Sequence, residues 1–105
     1  MKEIKAFIHR NRVADVVRAL REANYHHVSI IDVTGMLKAI DSKEQGYSIE
    51  LGDKAITEVK LELVCHDENR ATQAVRIIQE HGRTGQPDSG WIYISEIQAA
   101  LPIDQ

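Results

Sequence analysis

The same order of patterns occurs twice in this chain, and that repeat limits the folds open to it. In the first half Ile4, Ala6 and Ile8 alternate with Glu3 and Lys5, while Phe7 makes the other face partly apolar. A period of two marks a strand with one face in a core. Val13, Val16, Val17 and Leu20 follow at helical spacing, one apolar face of a helix that runs to about Asn24. Asn11 suits its N-cap, because a short side-chain oxygen accepts from the free amides of the first turn. Val28 to Val33 reads as a second strand, stopped by Gly35. The second half repeats this order. Ile4-Lys5-Ala6-Phe7-Ile8 is matched by Val59-Lys60-Leu61-Glu62-Leu63, and the helix face by Ala71, Ala74, Val75 and Ile78. Asp67 is the candidate cap, Gly82 the candidate left-handed terminator, and Trp91 to Ile94 the closing strand. Pro102 prevents a long regular extension.

Strand–helix–strand, given twice, predicts an α+β split βαβ: a ferredoxin-like βαββαβ sandwich with an antiparallel four-stranded sheet and both helices on one face. At 105 residues the chain is expected to form a single domain over 1–105. The other sheet face would stay bare although partly apolar. A bare apolar face calls for a partner, most simply copies of the same chain.

Two stretches do not fit the repeat. From Met36 to Ile56, charged residues and two glycines, Gly46 and Gly52, are interspersed with single apolar residues. A long connection of this kind is commonly functional, and it offers little apolar surface against its ordering entropy. The 36–56 loop is therefore expected to be mobile. The second stretch is Arg83-Thr84-Gly85-Gln86-Pro87-Asp88-Ser89-Gly90, a polar loop that runs straight into Trp91-Ile92-Tyr93-Ile94. Gly85 and Gly90 suit positive φ and close approach of a ligand. By composition alone the segment reads first as a long turn before an edge strand, and the rest of the chain is what favours a ligand loop.

Other classes recede on charge and composition. A net charge of −3 lacks the basic stripe of a nucleic-acid binder. No apolar run is long enough for a bilayer, and the start has no signal-peptide core. One cysteine, Cys65, excludes an internal disulfide and fits a reducing, cytoplasmic setting. At the end of a strand it reads as a small buried hydrophobe rather than a nucleophile. His26 and His27 are adjacent and point apart, and Cys65-His66 lacks further soft ligands, so no metal set is assigned. Asp67-Glu68 is explained by helix-start electrostatics. No catalytic residue emerges, because neither an activated nucleophile nor an acid–base pair can be named.

With the repeat, the central loop and the Thr-Gly loop in place, the chain resembles the PII signalling proteins over nearly its whole length. The resemblance runs through Met1-Lys2-Glu3-Ile4-Lys5-Ala6 and Ile31-Asp32-Val33-Thr34-Gly35. It continues in Val59 to Val64, in Arg83-Thr84-Gly85 and in Gly90-Trp91-Ile92-Tyr93-Ile94. It implies a homotrimer with adenine nucleotides in clefts between subunits, and a central loop that docks on transporters and enzymes. By position, Ser29, Glu62, Leu63 and Val64 would form the adenine side. Gly35, Met36, Leu37 and Lys38 would begin the mobile loop near the phosphates. Thr84, Gly85, Asp88, Ser89 and Gly90 would wrap the phosphates.

Departures from the family pattern alter the ligand chemistry. Typical members have lysine at the positions of Trp91 and Glu58, and paired arginines where this chain has Leu101-Pro102-Ile103. A glutamine that helps hold magnesium and 2-oxoglutarate is replaced by Ala39, and Leu51 stands where some members carry a modified tyrosine. Each lost charged contact to phosphate removes about 1.5–3 kcal/mol, roughly tenfold to more than a hundredfold in affinity.

The resulting expectation is a cytoplasmic, PII-like signal-transduction protein of nitrogen regulation, not an enzyme. It would bind ATP, ADP or AMP between subunits and control a membrane transporter or metabolic enzyme through residues 36–56, without being membrane-embedded. The alternative is a trimer resembling the CutA type, binding a metal or anion but no nucleotide.

Overall fold

The computed structural model describes residues 1–32, 58–87 and 89–104. Four strands form one antiparallel sheet: β1 (Lys2–His9), β2 (Val28–Ile31), β3 (Glu58–Cys65) and β4 (Gly90–Glu96), in the order β2-β3-β1-β4. The helices are α1 (Val13–Glu22) and α2 (Glu68–Gly82). This is the ferredoxin-like arrangement that the repeat predicts. The 36–56 stretch, Val33 and Leu51 lie outside the described residues.

Alternation sorts the strand residues as expected. Ile4, Ala6 and Ile8 of β1 and Val59, Leu61, Leu63 and Cys65 of β3 are buried toward the helices. Val16 and Leu20 of α1 and Ala71, Ala74 and Ile78 of α2 meet them in one core. Burying a leucine-sized side chain contributes about 1.5–3 kcal/mol, so these residues and not the loops hold the sandwich together. Cys65, only 3% exposed, is the small hydrophobe that its position suggests.

Helix termini follow local chemistry, with two departures from expectation. Asp67 caps α2 by accepting the amide of Arg70 at 2.8 Å. Asn11, in contrast, caps nothing. It lies in a single 3-10 turn, Arg10–Arg12, and its amide donates to Nδ1 of His9 at 3.3 Å. The residue before α1 is Arg12, without a side-chain cap bond. The chain tightens into the helix through that turn instead of capping it. Gly82 does not adopt the left-handed conformation either; it is buried in α2 beside Val16 and Ile8, and Arg83 continues as extended chain. Nε of Arg83 donates to the Gln79 carbonyl at 3.1 Å, satisfying a terminal acceptor that a left-handed glycine would otherwise serve.

The left-handed terminator occurs instead on α1, at Asn24 with φ 69°. The Tyr25 amide donates to the Leu20 carbonyl (2.9 Å) and the Asn24 amide to the Arg21 carbonyl (3.0 Å), the Schellman pattern. Arg70 locks this turn to α2. Its guanidinium lies 3.6 Å from the Tyr25 ring centroid and donates to the carbonyls of Ala23 and Asn24, both at 3.0 Å. Tyr25 returns a hydroxyl bond of 2.6 Å to the Arg70 carbonyl.

The face opposite the helices carries Glu3, Lys5 and Phe7 of β1, Ser29 and Ile31 of β2, Lys60, Glu62 and Val64 of β3, and Trp91 and Tyr93 of β4. It is partly apolar, as the pattern suggests: Ile31, Val64, Trp91 and Tyr93 are all exposed. Phe7 and Tyr93 meet edge to face with centroids 5.9 Å apart. Lys5–Glu3 (3.2 Å) and Lys60–Glu62 (2.8 Å) are ion pairs on the same face.

Candidate functional site

Antiparallel pairing brings several chain segments to one end of the sheet. β1 ends at His9 opposite Glu58, the first residue of β3, and Ile8 pairs with Gly90, the first of β4. β2 leaves the sheet at the same end, where Arg10 clasps Asp32 through bonds of 2.7 and 2.9 Å. The central stretch and the loop before β4 therefore start from neighbouring positions, although nearly fifty residues separate them in sequence.

The loop before β4 is closed by its own hydroxyls. Ser89 Oγ accepts the Thr84 amide at 3.0 Å, lies 2.9 Å from Thr84 Oγ1, and donates to the Gln86 carbonyl at 3.1 Å. Thr84 Oγ1 accepts the Gln86 amide at 3.3 Å. A hydroxyl has one proton, so with Ser89 committed to Gln86, Thr84 must donate to Ser89. These bonds use the amides of Thr84 and Gln86, and not those of Gly85 and Ser89, among the described residues. Gly85 (φ 83°) and Gly90 (φ 128°) hold the turns, as the sequence suggests. A side chain at Gly90 would put Cβ 2.0 Å from the Phe7 carbonyl oxygen.

Beside this loop lies a cavity of about 500 Å³ whose lining includes Phe7, Gln79, Arg83, Ser89, Gly90 and Trp91. Trp91 is 66% exposed. The sequence marks Trp91 as a departure and quotes Arg83 in its motif, but assigns neither to a site.

The residues expected on the adenine side occupy the opposite edge. Ser29 of β2 pairs with Glu62 of β3 on the open face, and Val64 lies on the same face. The Lys60 ammonium, hydrogen-bonded to Glu62, holds its carboxyl below the usual carboxylate range, with Lys5 assisting. Leu63 departs from the other three: its side chain is buried toward the helices because it falls on the inward phase of β3. β2 begins opposite Leu63, so Val64 and Cys65 run past it. A second cavity, of about 610 Å³, lies there against His26, His27, Leu63, Val64 and His66.

The two groups do not meet within one chain. β2 and β4 are the outer strands of the sheet, about 14 Å apart at roughly 4.8 Å per strand. Gly35, Met36, Leu37, Lys38, Ala39 and Asp88 lie outside the described residues. Among the positions that depart from the family pattern, Glu58 is half-buried, and Leu101 and Ile103 are exposed. Among the described residues there is no cluster of three or more His, Cys, Asp or Glu suited to a metal, and no helix is long and apolar enough to cross a membrane.

Comparison with known proteins agrees with this architecture. The family model described as Nitrogen regulatory protein P-II matches residues 1–104. Nitrogen regulatory protein P-II 1 of Methanothermobacter thermautotrophicus is 28% identical, aligned over 92% of this chain and 84% of its own. P-II 2 of the same organism is 30% identical over 98% and 89%. The P-II protein of Rhodobacter capsulatus is 30% identical over 98% and 91%. With sheet order and layering in agreement with a match of this extent, the chain belongs to the P-II nitrogen regulatory protein family, whose members are regulatory signalling proteins and not enzymes.

Proposed function

We propose that the chain is a PII-like regulator that acts as a homotrimer and binds an adenine nucleotide in the clefts between subunits. Residues 1–105 work as one domain in the cytoplasm. Binding biases the arrangement of residues 36–56, which engage or release a membrane transporter or metabolic enzyme. A ligand shifts such an equilibrium only by contacting one arrangement better than the other.

The observation that carries this reading is the separation of the two candidate groups. Ser29, Glu62 and Val64 lie at one sheet edge, and Thr84, Gly85, Ser89 and Gly90 lead into the other. A ligand that needs both obtains them from two copies. The exposed apolar side chains of the open face supply a reason for copies to associate. Backbone amides in a loop of this shape hold an anion without a side-chain charge.

Light scattering combined with calorimetry tests the reading. The particle should have about three times the 11.9 kDa chain mass, and an adenine nucleotide should bind with a stoichiometry near one per chain. A stable monomer, or a trimer that releases no heat with ATP, ADP or AMP, would overturn it.

A further inference from the structure

Arg83 begins the loop before β4, directly after the last residue of α2, and lines the cavity of about 500 Å³ together with Ser89 and Gly90. Its guanidinium is only partly engaged within the chain. Nε donates to the Gln79 carbonyl at 3.1 Å, and no described residue accepts from Nη1 or Nη2. That one bond has two effects. It offsets the negative end of the α2 dipole, which would otherwise oppose an anion there. It also fixes one edge of a planar group, so the terminal nitrogens are oriented in advance and less side-chain entropy is lost when they bond. Closing the helix needs no more than Nε, and the outer fork stays available. Ser89, on the same lining, has an amide that the loop's own bonds do not use among the described residues.

We propose that Arg83 is a phosphate-binding residue of the nucleotide site, held by Gln79 so that Nη1 and Nη2 donate to phosphate oxygens. This rests on the nucleotide-site reading above and deepens it. A guanidinium presents parallel N–H donors that match two oxygens of one phosphate, and such charge-assisted bonds are roughly twice as strong as neutral ones. The Ser89 amide supplies direction without net charge. Arg83 adds the opposite charge that an anion needs as it leaves water. The group recognised is the phosphate and not the base or the ribose. Arg83 therefore raises affinity for a nucleotide over its nucleoside.

Arg83 is exposed, so its substitution leaves the core intact. ATP, ADP, AMP and adenosine should be titrated by calorimetry into the unaltered protein and into Arg83→Gln and Arg83→Lys, with adenosine also read by competition against the bound nucleotide. Arg83→Gln should weaken the nucleotides by roughly tenfold or more and leave adenosine within a few-fold. Arg83→Lys, which keeps the charge but lacks the fork, should fall between the two. Circular dichroism and particle mass would show that each variant is folded and assembled. If Arg83 serves only to close α2, adenosine and the nucleotides should weaken in parallel and lysine should be no better than glutamine; that result would overturn the phosphate role. Nucleotide affinity unchanged in Arg83→Gln would also overturn it, while the nucleotide site itself survived. Absence of heat with every nucleotide in the unaltered protein would remove the site and the role together.

Discussion

Arg10 holds Asp32 with a two-pronged grip, Nη1 to Oδ2 at 2.7 Å and Nη2 to Oδ1 at 2.9 Å, across twenty-two positions of sequence. It ties the end of β1 to the residue after β2, and the carboxylate raises the arginine further above its already high ordinary pKa, mainly through the hydrogen bond. Arg10→Lys keeps the charge but lacks the planar fork. A double-mutant cycle between Arg10→Lys and Asp32→Asn, read by urea denaturation, should show favourable coupling. Because the pair is exposed, the coupling should shrink as ionic strength rises from about 0.01 M to about 1 M. Coupling that is absent at low salt would mean that the grip contributes nothing to the fold.

Gly85 and Gly90, the two positive-φ glycines among the described residues, should respond differently to alanine. At Gly90 a methyl group meets the backbone of β1, 2.0 Å from the Phe7 oxygen, where no side-chain rotation relieves it. Gly90→Ala should destabilise by more than about 3 kcal/mol or prevent folding. At Gly85 nothing lies within 4 Å of the added carbon, so only the left-handed backbone opposes it, at about 1–2 kcal/mol. Urea midpoints measure both. Equal losses would show that space plays no part at Gly90.

Much of the fold is readable from the chain because its elements are local and periodic. Ile4, Ala6 and Ile8 and their counterparts in β3 declare one buried face by alternation alone, and Asp67 declares the start of α2. The failures are those of competition between similar local solutions. Asn11 is a good cap by type, but a 3-10 turn precedes the helix; Gly82 is a good terminator by type, but it stays inside α2 and the chain leaves as extended backbone at Arg83. The site is less readable than the fold. Leu63 shares a run with Glu62 and Val64 and still points into the core. Arg10 and Asp32 are ordinary charges until the parallel course of β1 and β2 brings them together. Trp91 is visible as a departure, and the structure adds that it is exposed and lines the cavity beside the loop.

The hydroxyl network of the loop predicts non-additive loss. Ser89 Oγ takes part in three contacts and Thr84 Oγ1 in two, one of them shared. Ser89→Ala should cost about 1–2 kcal/mol and Thr84→Val about 1 kcal/mol. The double variant should lose less than the sum, since either change breaks the shared bond. Strictly additive losses, measured by the same denaturation method, would show that the two hydroxyls do not act as one closure.

Alkaline pH should lower the stability of the fold in two stages, the first traceable to Cys65 and the second to Tyr25. Burial pushes the Cys65 thiol and the Tyr25 phenol above their ordinary values, and the nearby Arg70 only partly opposes this. Both groups are neutral when protonated, so the folded state retains protons that the unfolded chain gives up. Their contribution is intact below the unfolded values, roughly 8.5 for cysteine and 10 for tyrosine, and is lost as pH climbs through each toward the raised folded value. Stability should begin to fall above about pH 8.5 and fall faster above about pH 10. Cys65→Ala should flatten the first stage. Tyr25→Phe should flatten the second, at the cost of about 1 kcal/mol at neutral pH for the lost bond to the Arg70 carbonyl. Urea midpoints across this range decide the matter: a Cys65→Ala profile that falls as steeply near pH 9 as that of the unaltered chain would show that the thiol is not responsible.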